Sequence, residues 1–206
     1  LTTNAGGSAT IVNATAIDFA TSAINGGVLT ATATTGNILQ TAGTITVGST
    51  SSFTTSTADA DITLTNTNVF GGAVSLNTSG SGGNASLRNG TTAMVVGVSG
   101  IGGDLTLSNG NTITDNALVT VGGNLSATTT SGAILLDTLA VTGTIALTTS
   151  GSDNATVVNA TAIDFAASSV GGTVTATATA GNIIDTGSLT VSGAGTSTFT
   201  VTAGTT

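Results

Sequence analysis

Apolar residues recur with period two in short stretches along the chain: VLTATA, GTITVG, ITLTN, DLTLS, LVTVGG, TIALTT, GTVTATA and STFTVT. Alternation of this kind turns one set of side chains inward on a pleated strand and leaves the other set outside. Val, Ile and Thr, which suit a pleated and half-buried surface, supply most of these positions, and no stretch carries a capped 3.6-residue period. The pattern predicts an all-β chain.

The first inward residue after each glycine-containing turn is Leu29, Phe53, Val74, Leu105, Leu125, Ile145, Val174 and Phe199, with steps of 24, 21, 31, 20, 20, 29 and 25 residues. Self-similar strands spaced 20 to 31 residues apart predict a solenoid. Between Leu125 and Ile145 lie three short strands, LSATT, GAILL and LAVTG, which make a three-sided coil. One such coil buries too few side chains to fold alone, so neighbours must stack strand on strand at about 4.8 Å per rung. Eight or nine rungs then give a rod about 40 Å long. Crossovers of one sense predict a right-handed parallel β-helix. A β-sandwich would instead show hairpin turns and no coil-length phase.

A longer repeat overlies the coils. TIVNATAIDFA at Thr10 to Ala20 returns as TVVNATAIDFA at Thr156 to Ala166, and a weaker copy, SLRNGTTAMVV, lies between them. With small gaps the copies align Asn13 with Asn89 and Asn159, align Thr15 with Thr91 and Thr161, and set Asp18 and Asp164 against Met94. The longer steps read as enlarged rungs that hold this motif. Leu1 aligns with Leu147, and Thr206 stops where an earlier copy continues into DITLTN. Residues 1–206 therefore read as one β-helical segment, a window on a longer array.

Composition narrows the chemistry. Charged residues are 5% of the chain, where roughly a quarter is usual. All nine acids are Asp, Arg88 is the only base, the net charge is −8, and His and Cys are absent. One Arg cannot neutralise a phosphate backbone or an anionic lipid surface, so no nucleic acid is expected as a partner and no polybasic membrane contact. No apolar run approaches the ~18 residues of a membrane helix, so no membrane insertion is expected. Catalysis by His is impossible, and nucleophiles that need a His base, Cys or Lys fall with it. No cofactor and no metal site is expected.

The phrases NVFGGAVSLNTSG (Asn68 to Gly80), GNILQTAGTITVG (Gly36 to Gly48), GGDLTLSNGNTITDNALVTVGGNLSATTT (Gly102 to Thr130) and GNIIDTGSLTVSG (Gly181 to Gly193) are similar to others. With them the chain resembles the repetitive shaft of filamentous-haemagglutinin-like exoproteins, large bacterial adhesins exported by two-partner secretion. The resemblance implies a right-handed β-helix at the bacterial cell surface or beyond, acting as a stalk or adhesive fibre. The shaft repeats carry no catalytic motif, so no site residue transfers.

Five candidate features remain. Asp59 and Asp61 form the one close carboxylate pair, readable as an acid cluster of a polysaccharide-cleaving β-helix or as a solvated turn before Ile62 to Leu64. Asp18 and Asp164 lie between inward residues and point outward, and the motif that contains them survives without the acid. GIGGDLTL around Asp104 partly matches a calcium-binding β-roll, but the next equivalent position is Asn124, which favours a polar cap on the strand. Seven N-x-S/T triplets begin at Asn13, Asn77, Asn84, Asn89, Asn124, Asn154 and Asn159 and fit turn positions better than glycosylation. Lastly, outward positions Thr30/Thr32, Thr54/Ser56, Ser75/Asn77, Thr106/Ser108, Ser126/Thr128, Ala146/Thr148, Thr175/Thr177 and Thr200/Thr202 stack into two columns of mostly hydroxyl side chains. Such columns make a passive Thr-rich wall, or an ice-binding or receptor-contact face.

The expected function is a structural and adhesive segment of a secreted or cell-surface fibre, not an enzyme. Its expected partners are further copies, end to end or side by side in filaments, and a host-surface or glycan receptor. The alternatives are an ice-binding β-helix and a carbohydrate-active β-helix enzyme.

Overall fold

The computed structural model describes residues 1–203. They form a parallel β-solenoid of about nine turns whose strands belong to two sheets, one of 12 strands and one of 13, with no helix among the described residues. Paired residues on successive coils are 19 apart at the least (Met94 with Ile113) and 24 at the most (Ile38 with Ile62). Ten strands follow one another along the 12-stranded sheet, so at about 4.8 Å per step the stack is about 43 Å long.

Each coil has one long strand on one sheet and, on the other, two short arms. The long strands Ala9–Asn13, Leu29–Ala33, Ser51–Ala58 and Val74–Ser79 lie on the 12-stranded sheet. The next four, Ala85–Asn89, Leu105–Asn109, Leu125–Thr129 and Ile145–Thr148, lie on the 13-stranded sheet. Ala155–Asn159, Val174–Ala178 and Thr198–Val201 then return to the first. The short arms change places with them: Ile17–Asp18 with Ser22–Ile24, then Met94–Val96 with Ser99–Ile101, then Ile163–Phe165 with Ser168–Val170. In Ile134–Val141 the two arms run together as one strand whose register shifts between Leu136 and Leu139, so the predicted GAILL and LAVTG are a single bent element.

This alternation explains the uneven steps. Val74 to Leu105 and Ile145 to Val174 are steps of 31 and 29 residues because each runs from one sheet to the other, not because a rung is enlarged. The register also moves two members of the predicted column. Phe53 pairs with Ala31 and Leu76, and Phe199 with Ala176, so both sit at the second inward position of their strands. At the first inward position beside Leu29 and Val74 stands Ser51, buried although polar. Phe199 lies in the last described coil and is 48% exposed, where an inward, buried residue was expected.

The core is one continuous cluster that passes through every coil from Ile17 to Ala178. Near the first switch its bulk comes from Phe19, Phe53 and Phe70, whose rings meet edge to face with centroids 5.9 Å apart in both pairs. Elsewhere small aliphatics suffice because each inward side chain lies on its counterpart one coil away, as in Leu105, Leu125 and Ile145.

Candidate functional site

The switch of the long strand between sheets is built by the same residues each time. Thr78 and Thr149 donate their hydroxyls within the turn, to Gly83 O at 2.6 Å and Asp153 O at 2.7 Å. The same oxygens accept an N–H from the next coil, Gly102 N at 3.1 Å and Gly171 N at 3.0 Å. Thr3 repeats the pattern with Gly7 O and Asn25 N at 2.8 and 3.2 Å. Gly6, Gly80 and Gly151 give these turns their left-handed residue, at φ of 76, 77 and 61°.

Ten to eleven residues further on, each first long strand ends in an Asn. Asn89 and Asn159 are buried. Asn89 Oδ1 accepts from Phe70 N at 2.9 Å and Asn159 Oδ1 from Val141 N at 2.8 Å, while their Nδ2 groups donate to the carbonyls of those same residues. Each amide therefore clasps the last arm of the preceding repeat. Asn13 keeps the local half of the arrangement, donating to Ala16 O at 2.7 Å, as Asn159 does to Ala162 O.

A family model describing repeats of unknown function, designated DUF5649, matches residues 6–77, 82–148 and 152–206. The chain belongs to that repeat family. The gaps between the three matches fall on the Thr78 and Thr149 turns, so each DUF5649 repeat is one run of long strands on a single sheet. Comparison with curated proteins and with solved structures finds no match. The two DUF5649 repeat boundaries are a place where side chains gather into concave surface. Grooves of about 240 and 220 Å³ lie against Arg88 and Asn89 and against Val158 and Ala160, the same corner of the second and third repeats, while one of about 490 Å³ lies on the first described coil against Ile11, Ile17 and Phe19.

The carboxylates serve the stack. Asp104 Oδ1 accepts from Asn124 N at 2.7 Å, Asn124 Oδ1 from Thr144 N at 2.9 Å, and Asp61 Oδ1 from Asn84 N at 2.8 Å. Each caps a strand of the next coil, as the polar-cap reading of Asp104 requires, and an Asn fills the role as well as an Asp. Asp59 stands apart from Asp61 in a left-handed turn at φ 63° and accepts from Gly82 N at 2.8 Å. The two carboxylates thus address different amides. Asp18 accepts from Thr41 N and Oγ1, and Asp164 from Thr186 N and Oγ1. Their counterpart in the middle repeat is not Met94, which is buried where Ile17 and Ile163 are, but the outward Val95. An extra residue between Asn89 and Met94 causes the offset. Of the glycosylation triplets, Asn89 and Asn159 are buried, and Asn84, Asn124 and Asn154 accept N–H groups from the next coil.

Asp104→Asn should leave the unfolding midpoint in denaturant nearly unchanged, because the amide oxygen still accepts from Asn124 N. Asp104→Ala should cost about 1 kcal/mol, as loss of a capping acceptor does. Millimolar calcium should not raise the melting temperature of either protein; a rise that Asp104→Asn abolishes would restore the calcium reading.

The hydroxyl columns do not run the length of the rod. Thr30 pairs with Thr10 and Ser52, and Thr32 with Thr54, which pairs with Asn77, all on the 12-stranded sheet. Thr106 pairs with Ser86 and Ser126, and Thr128 with Ser108 and Thr148, on the 13-stranded sheet. Thr175 and Thr177, paired with Thr198 and Thr200, return to the first sheet, and Thr202 lies beyond the last strand, its hydroxyl donating to Ala178 O and Thr179 O. The predicted stacking of Asn77 on Ser108 and of Thr148 on Thr177 is therefore corrected: three patches of three or four strands alternate between sheets because the long strand does. No uninterrupted ice-facing wall results.

Proposed function

We propose that this chain is a rigid stalk segment of an extracellular fibre, similar in role to the shaft of filamentous-haemagglutinin-like adhesins, with adhesion carried by surfaces set along it. The observation that carries the reading is the pair of repeat junctions. Asn89 and Asn159 bond each repeat to the one before it, so three DUF5649 repeats share one core and leave no hinge between them. A solenoid whose repeats touch only their neighbours gains length without a new fold, which suits a spacer.

Self-association belongs to the same reading. Were residues 1–206 prepared alone, Ala9–Asn13 and Thr198–Val201 would each pair on one side only among the described residues, with Phe199 and Val201 exposed beside the latter. Unpaired, weakly charged strand edges template further strands. Light scattering from micromolar to millimolar protein should show end-to-end growth that Phe199→Asp suppresses; a monomer throughout that range would remove the filament from the proposal. Antibody labelling of intact source cells tests the location, with surface label expected and label only after lysis counting against it.

A further inference from the structure

The two junction grooves share a position in the repeat but not a chemistry. At the outward position just before Asn13, Asn89 and Asn159 stand Val12, Arg88 and Val158. The flanking repeats show that the fold accepts an aliphatic there. Arg88 is the chain's only basic residue, it is exposed, and no carboxylate lies within 4.0 Å of its guanidinium among the described residues. Nine acids elsewhere are spent on backbone amides or left to solvent, so this cation has no internal task.

The groove beside it, about 240 Å³, is lined by the hydroxyl-bearing residues Thr67, Thr91, Ser108 and Thr130 together with Gly90 and Gly110. Gly90 keeps this corner close to the preceding coil: a Cβ there would come within 3.1 Å of Asn68 O and of Thr67 Cγ2. Beneath these residues, Asn109 donates through Nδ2 to Thr92 O and Thr112 O, but its buried Oδ1 has no hydrogen-bond partner. Asn89 and Asn159, at the matching end of their strands, have Oδ1 engaged. The groove thus joins one donor fork with four hydroxyl-bearing residues, while the Asn109 amide stays buried beneath them.

We infer that the Arg88 groove binds one carboxylate-bearing sugar unit, of the hexuronate class. A planar guanidinium matches a carboxylate in bidentate fashion, and the hydroxyl-bearing residues of the groove match the hydroxyls of a sugar ring. A single cation on a chain of net charge −8 suits a monoanion and disfavours a phosphate dianion, for which no second cation stands nearby. The volume holds one ring, not a chain of rings buried end to end. With no aromatic side chain to stack on the sugar, affinity is about millimolar, and gain along a polymer comes from repeated engagement. This inference goes beyond the stalk reading, which stands or falls on stiffness and location independently of it.

The test is titration of the intact chain with methyl glucuronide, methyl glucoside and acetate, followed by NMR at the Arg88 guanidinium and at the Gly90 and Gly110 amides. Methyl glucuronide is expected to shift all three with a millimolar Kd, with the other two at least tenfold weaker. Arg88→Val, which copies the flanking repeats and so keeps the fold, should weaken methyl glucuronide at least tenfold. Thr130→Val should weaken it a few fold and leave acetate unchanged. Acetate binding as well as the glycoside would mean an adventitious anion only and would overturn the assignment, as would undiminished binding by a folded Arg88→Val protein.

Discussion

Gly102→Ala is expected to destabilise the chain by about 4 kcal/mol, read as a fall in the urea midpoint by circular dichroism. A Cβ on Gly102 would overlap the carbonyl oxygen of Gly80, and that oxygen belongs to the backbone of the preceding coil, so no side chain can swing aside. Relief requires the two coils to part at the corner where Gly102 N also meets Thr78 Oγ1. Because each coil is held only by its neighbours, the array should melt on either side of the defect and the transition should broaden. Gly151→Ala provides the control: Gly151 is left-handed, at φ 61°, but nothing lies within 4 Å of its Cβ. It should cost about 1 kcal/mol. Equal losses at the two sites would show that the overlap with Gly80 is relieved without parting the coils.

Asn159→Leu should cost about 3 to 4 kcal/mol. The amide makes four hydrogen bonds within 3.0 Å, accepting from Val141 N and donating to Val141 O, Thr161 Oγ1 and Ala162 O, and all four vanish at once. Leucine fills the space yet leaves the Val141 N–H buried and unpaired, while Val141 O keeps the Thr161 hydroxyl at 2.7 Å, and the desolvated N–H dominates the loss. Asn13→Leu should cost less than about 1 kcal/mol, because Asn13 bonds only Thr15 and Ala16. The difference measures the clasp between repeats. Should the two variants unfold at the same denaturant concentration, the Asn would be a local turn-former and the repeats would be held by apolar stacking alone.

The stack of coils and its parallel strands could be read from the period-two pattern, since inward Ile, Leu and Val alternate with Thr along most strands. The sheet to which a strand belongs could not. Both sheets use the same residues, and the switch is made in turns, by Thr78 and Thr149, which look like any other Thr in a Thr-rich chain. The strands that open each repeat begin on Ala9, Ala85 and Ala155, too small to mark an inward position, and Ser51 hides another. A search for the first large apolar residue therefore moved on to Phe53. The Asn13, Asn89 and Asn159 match was legible as a coincidence of letters, but its role was not, because their clasp partners Phe70 and Val141 lie 19 and 18 residues back in unlike sequence. Arg88 was conspicuous by composition alone. Its groove became visible only once the corner that follows it was seen to recur in every repeat.

The sheet exchange at each junction makes copy number a matter of parity. One DUF5649 repeat carries the long face from the first sheet to the second, and two carry it back, so Val12 and Val158 share a side of the rod while Arg88 lies on the other sheet. Gain or loss of a single repeat by recombination would lengthen or shorten the rod by about 17 Å, three and a half coils, and would also turn every downstream surface to the other side. Gain or loss of a pair would change reach alone. A lineage that must keep its outward groups aimed in one direction is thus constrained to vary its repeats in twos.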